Sequence, residues 1–153
     1  MTTSTDTTIE RLTEGQCWEL LCSNESGRLA VRLGDGVDIF PINYLIKDQT
    51  IYFSSAPGSK MVELTANPQV ALEIDGILDR QRWSVVVKGA AERLSTSTEI
   101  EWSGISGLHT QEPNDKWNYV RVQPSEVTGR RFTSRRKTSV PTAIDTAMGI
   151  DPE

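Results

Sequence analysis

The segment IYFSSAPGSK, residues 51–60, runs from a strand pattern through a turn into the start of a helix. Ile51 and Phe53 recur with the period of two that is typical of a half-buried strand. Pro57-Gly58 interrupts that strand. Residues 59–66 have the composition of a short helix, which must end at Asn67 because the residue before Pro68 avoids helical backbone angles. The segment therefore predicts a strand, a turn and a helix in immediate succession.

This strand–turn–helix segment offers the chemical groups that bind a phosphate. A helix start presents free backbone N–H groups, and here they lie beside serine hydroxyls and an ammonium group. The predicted phosphate contacts are Ser54, Ser55, Gly58, Ser59 and Lys60. Taken alone, the segment favours the simpler interpretation, a serine helix cap next to a solvated lysine. The chain contains neither G-x-x-x-x-G-K-[ST] nor G-x-G-x-x-G, so neither common nucleotide fingerprint applies.

Other blocks of sequence around this segment make its interpretation more specific. In chain order they are Gly27-Arg28-Leu29-Ala30, Pro41-Ile42-Asn43-Tyr44, Asn67-Pro68-Gln69-Val70-Ala71 and Trp83-Ser84-Val85-Val86-Val87-Lys88-Gly89. Together with residues 51–60, they resemble the flavin-binding split-barrel proteins related to pyridoxamine 5'-phosphate oxidase. The resemblance covers about residues 12–132, and its Trp-Ser-Val block is most similar to the branch that includes the nitroimidazole-resistance proteins.

The resemblance implies FMN in a groove between two subunits, and therefore a homodimer with two cofactor sites at its interface. On this basis the strand–turn–helix segment would hold the FMN phosphate. A strand interrupted by a proline can supply backbone groups to the isoalloxazine edge. The residues expected there are Pro41, Ile42, Asn43 and Tyr44, with Trp83, Ser84 and Val85 as a further flavin-contacting strand. For Trp83 the alternative is an ordinary core aromatic.

The remaining pattern predicts a mainly β chain with short helices, namely an antiparallel Greek-key split β-barrel of the FMN-binding type. Strands are expected at residues 28–33, 37–42, 69–75, 82–94, 116–123 and 126–132. Gly34-Asp35-Gly36 predicts a hairpin turn between the first two strands, and residues 44–53 are expected to form a further hairpin that turns at Lys47-Asp48-Gln49. Helices are expected after Thr13, which begins a capping box with Gln16, and at residues 95–105. Gly89 would let the long strand bend. The barrel domain is predicted at residues 9–132, between a flexible segment 1–8 and a flexible or arm-like extension 133–153.

Composition argues against several classes of partner. The 16 Lys+Arg and 21 Asp+Glu residues give a net charge of -5, which disfavours a nucleic-acid surface. The basic cluster in residues 130–137 is interpreted as a solvated or anion-facing strand end. A membrane helix needs about 20 apolar residues, and the chain has no such run; residues 1–8 lack the features of a signal peptide. Cys17 and Cys22 form no disulfide framework, so we expect a cytoplasmic protein.

The chemistry is harder to predict than the fold. His109 is the single histidine, which removes multi-histidine metal sites, and no metal is predicted. No acid or base stands out, so the catalytic residues stay unknown. Pyridoxamine-phosphate oxidases carry arginine and histidine near the C-terminus, whereas Arg130-Arg131 lacks the histidine. The sequence thus predicts an FMN-dependent oxidoreductase with an unidentified small-molecule substrate. The alternatives are a non-catalytic flavin-binding or carrier protein and a deazaflavin-dependent reductase on the same fold.

Overall fold

The computed structural model describes residues 6–55, 67–105 and 118–135. Two helices are present in this part, α1 (Glu14–Cys22) and α2 (Ser97–Ser103). The strands are β1 (Asp6–Arg11), β2 (Ser26–Leu33), β3 (Gly36–Lys47), β4 (Thr50–Ser55), β5 (Gln69–Leu78), β6 (Gln81–Arg93) and β7 (Asn118–Arg135). The fold is therefore mainly β, as the alternating pattern predicts.

Six of the strands form a closed antiparallel ring. Their order is β7-β4-β3-β2-β5-β6, and β6 pairs again with β7 to close the barrel. β7 pairs with two strands of the ring: its first part pairs with β4, and most of its length pairs with β6. β1 lies outside the ring and pairs with the last six residues of β7. Closure of this kind removes most unpaired strand edges, and the architecture is a split β-barrel.

Alternate residues of the ring strands fill the barrel. The fully buried side chains of this core include Leu29, Ile51, Phe53, Leu72, Ile74, Val85, Val87 and Val122. Tight two-residue loops set the register of three hairpins. At Asp48-Gln49 and Asp79-Arg80 both residues have positive φ, between 51° and 67°, which is the geometry that matches the twist of paired strands. The register places one face of each of the six ring strands in the core.

α1 closes one end of the barrel. Thr13 and Gln16 form the predicted reciprocal capping box at its start. The helix buries Cys17, Trp18 and Leu21 against the core. Gly129 permits this packing, because a Cβ there would lie 2.7 Å from Cys17 Sγ.

Three predicted boundaries need correction. Residues 6–8, predicted to be flexible, pair with 133–135, so the sheet extends three residues beyond the expected domain at each end. β3 continues through Pro41 to Lys47 instead of ending at Ile42. β7 is one continuous strand, whereas two strands were predicted. The strand continues through Pro124 because Ser125 is an extra residue in a β-bulge opposite Lys88 and Gly89.

Several predicted features lie outside the described residues. They are the helix at 59–66, His109, and most of the extension predicted at 133–153. No helix among the described residues has the length and apolar character that crossing a membrane would need.

Candidate functional site

The barrel is open between β3 and β4. These strands pair only at residues 44–47 with 50–53. Before Tyr44 in the sequence, β3 pairs with β2 alone. After Phe53, β4 pairs with β7 alone. The two strands therefore diverge and leave a gap, which we call the split. Pro41, Ile42 and Asn43 lie on one side of it, and Ser54 and Ser55 lie on the other.

The β3 side of the split is an unpaired backbone edge. Tyr44 N–H donates to the carbonyl of Glu25 at 2.9 Å, which is on the β2 side. Backbone polar groups alternate in direction along an antiparallel strand, so those of Pro41 and Asn43 face the split. Pro41 has no N–H to leave unsatisfied, which suits an edge position. The Pro41 carbonyl and the Asn43 N–H therefore line the split, whereas the register of Tyr44 with Phe53 directs the Asn43 carbonyl to Ser54 N–H.

The β4 side of the split contains a hydroxyl that lacks a partner. Ser55 is buried, and its Oγ makes no hydrogen bond to any residue in the described part of the chain. It lies opposite Asn118, another buried polar residue. A buried hydroxyl without a partner costs free energy. Ser55 therefore fits a site where a ligand oxygen, such as that of a phosphate, would supply the missing bond.

The structure places only part of the predicted phosphate site. Ser54 and Ser55 lie at the split. Ser54 is half-buried and engaged in its own interactions. Gly58, Ser59 and Lys60 lie outside the described residues. Their role in phosphate binding remains a prediction.

Four of the predicted flavin contacts have side chains in the core, namely Ile42, Tyr44, Trp83 and Val85. Tyr44 donates its hydroxyl to the carbonyl of Leu21 at 2.7 Å, and burial raises the pKa of its phenol. The Trp83 ring packs so closely on Gly76 that a Cβ there would lie 2.8 Å from Trp83 Cζ2. The side chains of these four residues are therefore not available to a ligand in the split.

Ser84 is the one member of the Trp83–Val85 block whose side chain points outward. It lies on β6, and β5 and β2 separate that strand from β3. Three strand spacings correspond to about 14 Å. A single protomer therefore does not bring this block to the split.

A cleft that the sequence did not reveal adjoins the split. α2 packs across the outside of β3, β4 and β7, where Tyr52, Leu94 and Ile105 form a second apolar cluster. Beside this cluster is a cavity of about 200 Å³, lined by Tyr52, Thr98, Glu99, Trp102 and Arg121. Tyr52 and Ser54 lie two residues apart on the same face of β4, which is about 7 Å. The cleft residues come from three separate segments, so no motif marks them.

Trp102 is a fixed wall of this cleft although 53% of it is exposed. Lys47 Nζ lies 4.0 Å from the centroid of the Trp102 ring and donates to the Trp102 carbonyl oxygen. A cation over an indole face is attractive, so this contact holds the ring in one position. The aromatic wall is therefore preorganised for a ligand.

The charges in the cleft compensate one another. Arg121 donates to Glu92, and its guanidinium lies 3.7 Å from Glu99. The hydrogen bond to Glu92 is the main cause that raises the pKa of Arg121. The Thr96 hydroxyl is the main cause that lowers the pKa of Glu99. The cleft is therefore suited to an uncharged, flat molecule between Tyr52 and Trp102.

Comparisons with known proteins agree with this architecture. A family model described as pyridoxamine 5'-phosphate oxidase matches residues 13–131. An uncharacterized protein of Mycobacterium tuberculosis is 33% identical over 88 residues, which are 58% of this chain and 80% of that protein. The FAD-binding protein from Mycobacterium smegmatis is 33% identical with a TM-score of 0.67, over 81% of this chain and 100% of that one.

Two further solved structures have the same fold. A Corynebacterium glutamicum protein, provisionally described as a pyridoxamine 5'-phosphate oxidase, is 38% identical with a TM-score of 0.73, over 82% of this chain and 99% of that one. A Bacteroides thetaiotaomicron protein, provisionally described as a 5-nitroimidazole antibiotic resistance protein, has a TM-score of 0.70, over 88% of this chain and 92% of that one. At 15% identity, the second likeness shows the fold alone.

Proposed function

Because the chain belongs to the pyridoxamine 5'-phosphate oxidase-like family, we propose that it binds FMN and acts as an FMN-dependent oxidoreductase on an unidentified small molecule. The observation that carries this proposal is the split, which has the unpaired β3 edge at Pro41 and Asn43 on one side and, on the β4 side, the buried Ser55 hydroxyl, which has no hydrogen-bond partner among the described residues. Flavin binding is also what the Mycobacterium smegmatis relative is described as doing.

The protein's part in such chemistry is to bind and orient the flavin. The β3 edge would contact the isoalloxazine through the carbonyl of Pro41 and the N–H of Asn43, while Ser55 and the segment with Lys60 would hold the phosphate. The flavin supplies the hydride or electron transfer when bound. The cleft between Tyr52 and Trp102 adjoins the split, so it would hold the reacting partner. We assign no proton-transferring residue.

We propose that the site is completed in a homodimer. Val37 and Ile39 on the outside of β3 are 66% and 67% exposed, although both are large and apolar. The neighbouring strands add Ala30 and Ala71 to the same face, around a shallow groove. Exposed apolar patches of this kind mark interaction surfaces. A second copy would cover the patch, and its Trp83–Val85 block could approach the split that this block does not reach within one protomer.

The homodimer leads to a first expected result. Ile39→Asp should weaken dimerisation about 100-fold, because a two-fold interface buries the introduced charge twice. Light scattering and sedimentation at low micromolar concentration would measure this. Leu78→Asp is the matched control, because Leu78 is similarly exposed but lies at the end of β5, on the β5–β6 hairpin. A monomeric wild type that still binds FMN tightly would contradict the shared site.

Turnover provides a second expected result. Bound FMN should be reduced by NADH or NADPH, or by a partner reductase, and reoxidised by a quinone or nitroaromatic that fits the aromatic cleft. Anaerobic stopped-flow absorbance would follow both half-reactions. Trp102→Ala should slow reoxidation by the aromatic acceptor and leave reduction unchanged. Pyridoxamine 5'-phosphate should be a poor substrate, since Arg130-Arg131 lacks the accompanying histidine.

The same preparation distinguishes the alternatives. The mass and absorption spectrum of the released cofactor separate FMN from FAD and from a deazaflavin. If FMN is bound but no donor or acceptor reacts, the flavin-binding or carrier role replaces the enzyme. We further expect a cytoplasmic location, on the basis of the free thiols of buried Cys17 and exposed Cys22.

A further inference from the structure

Three arginines share one patch on the outside of the barrel, away from the split. Arg11 on β1 lies directly opposite Arg130 on β7. Arg130 also lies opposite Ser84 on β6, and Arg82 lies two residues before Ser84 on the same face. Directly opposed residues have Cβ atoms about 5 Å apart, and diagonal neighbours about 7–8 Å. We call Arg11, Arg82 and Arg130 the arginine patch.

No carboxylate among the described residues forms an ion pair with the arginine patch. Arg28, Arg121 and Arg131 each form an ion pair, whereas none of the three patch arginines does so among residues 6–55, 67–105 and 118–135. Asp75, which lies opposite Ser84, already pairs with Arg28 at 2.7 Å.

Two positive charges directly opposite each other weaken a sheet. The pairing of Arg11 with Arg130 is therefore unfavourable until an anion binds. This cost has no structural compensation in the described part of the chain, which points to a ligand.

Apolar side chains surround the arginine patch. Phe132 lies between Arg82 and Ile9 in the sheet, and Ile77 lies on the other side of Arg82. Ile9 and Ile77 are 58% and 64% exposed. Guanidinium groups beside an aromatic ring and exposed alkyl groups suit a phosphate attached to a planar base. The net charge of -5 makes a long polyanion a poor partner, so a small ligand fits better.

We propose that Arg11, Arg82 and Arg130 bind the phosphate of a nucleotide whose base packs against Phe132 and Ile9. The inference deepens the proposed function and rests on it in one respect. Ser84, the outward residue of the block expected to contact the flavin, lies between Arg82 and Arg130, so this block would contribute to phosphate binding. The nucleotide is either the adenylate half of FAD or a pyridine-nucleotide electron donor, since both carry the same pyrophosphate.

The test uses ADP as the probe, because ADP carries the adenine and pyrophosphate common to both sources. Calorimetric titration of the wild-type protein should show binding, and Arg130→Gln or Arg82→Gln should weaken it about tenfold each. The matched control is Arg93→Gln, which removes an exposed arginine that lies outside the patch. If ADP fails to bind the wild type, or if all three variants bind it equally, the arginine patch is not a nucleotide site.

Two further titrations separate the sources. If the patch holds the adenylate of FAD, Arg130→Gln should lower the affinity for FAD and leave that for FMN unchanged. If it holds the electron donor, the same variant should raise KM for NADPH with FMN fully bound. If ADP binds but Arg130→Gln changes neither the affinity for FAD nor the KM for NADPH, both assignments are wrong, and the proposal with them. Absence of FMN binding in the wild type would instead refute the proposed function and leave the ADP result to stand by itself.

Discussion

Gly89→Ala is expected to lower the free energy of unfolding by about 3 kcal/mol, the upper end of the cost of overpacking a close contact. A Cβ at Gly89 would overlap the carbonyl oxygen of Gln123 and lie 2.9 Å from its carbonyl carbon. It would also lie 3.1 Å from Pro124 Cα. These are backbone atoms of β7 at the bulge, and they cannot move unless the β6–β7 pairing that closes the barrel opens.

Urea unfolding followed by circular dichroism would measure the change. Gly36→Ala is the matched control, because the nearest atom to its new Cβ would be the carbonyl oxygen of Leu33 at 3.9 Å. We expect the control to change stability by less than about 0.5 kcal/mol. Equal midpoints for the two variants would mean that β6 and β7 tolerate a side chain at the bulge, contrary to the contacts described above.

The local pattern of the chain was sufficient to predict most of the barrel. Alternation identified β2, β5 and β6, and Gly34-Asp35 and Asp48-Gln49 marked two of the hairpins. β1 was missed because Asp6–Arg11 is polar and becomes a strand only by pairing with β7, more than a hundred residues later. Pro124 suggested a break in β7, but the bulge at Ser125 accommodates the proline in one continuous strand.

The candidate site was predictable in its residue types and less so in its geometry. The resemblance selected Pro41 and Asn43, and the structure brings their backbone edge to the split. It also selected Trp83 and Val85, although the period of two already placed both on the buried face of β6. The cleft beside Trp102 depends on α2 packing against β4 and β7, and a contact of this kind between distant segments leaves no local signal.

Preference for FMN over riboflavin is the second large effect we expect, because the strand–turn–helix segment would contact a phosphate that riboflavin lacks. Lys60→Ala should weaken FMN binding by about 2 kcal/mol, the scale of one hydrogen bond to a charged group, or roughly 30-fold. Flavin fluorescence titration would measure both ligands. Riboflavin is the internal control: its affinity should be the same for wild type and Lys60→Ala. Equal wild-type affinities for FMN and riboflavin would refute the phosphate site, and an unchanged FMN affinity in the variant would make Lys60 a solvated lysine.

Ser55→Ala tests the same phosphate site from the part of the chain that the structure describes. The Ser55 hydroxyl is buried and has no hydrogen-bond partner among those residues, so its removal should not lower the stability of the flavin-free protein. FMN affinity should nevertheless fall, by about 1–3 kcal/mol, if the hydroxyl donates to a phosphate oxygen. A lower FMN affinity without a loss of stability distinguishes a ligand-binding hydroxyl from a structural one. A variant that loses stability and binds FMN as tightly as the wild type would place Ser55 in the barrel's internal packing and outside the site.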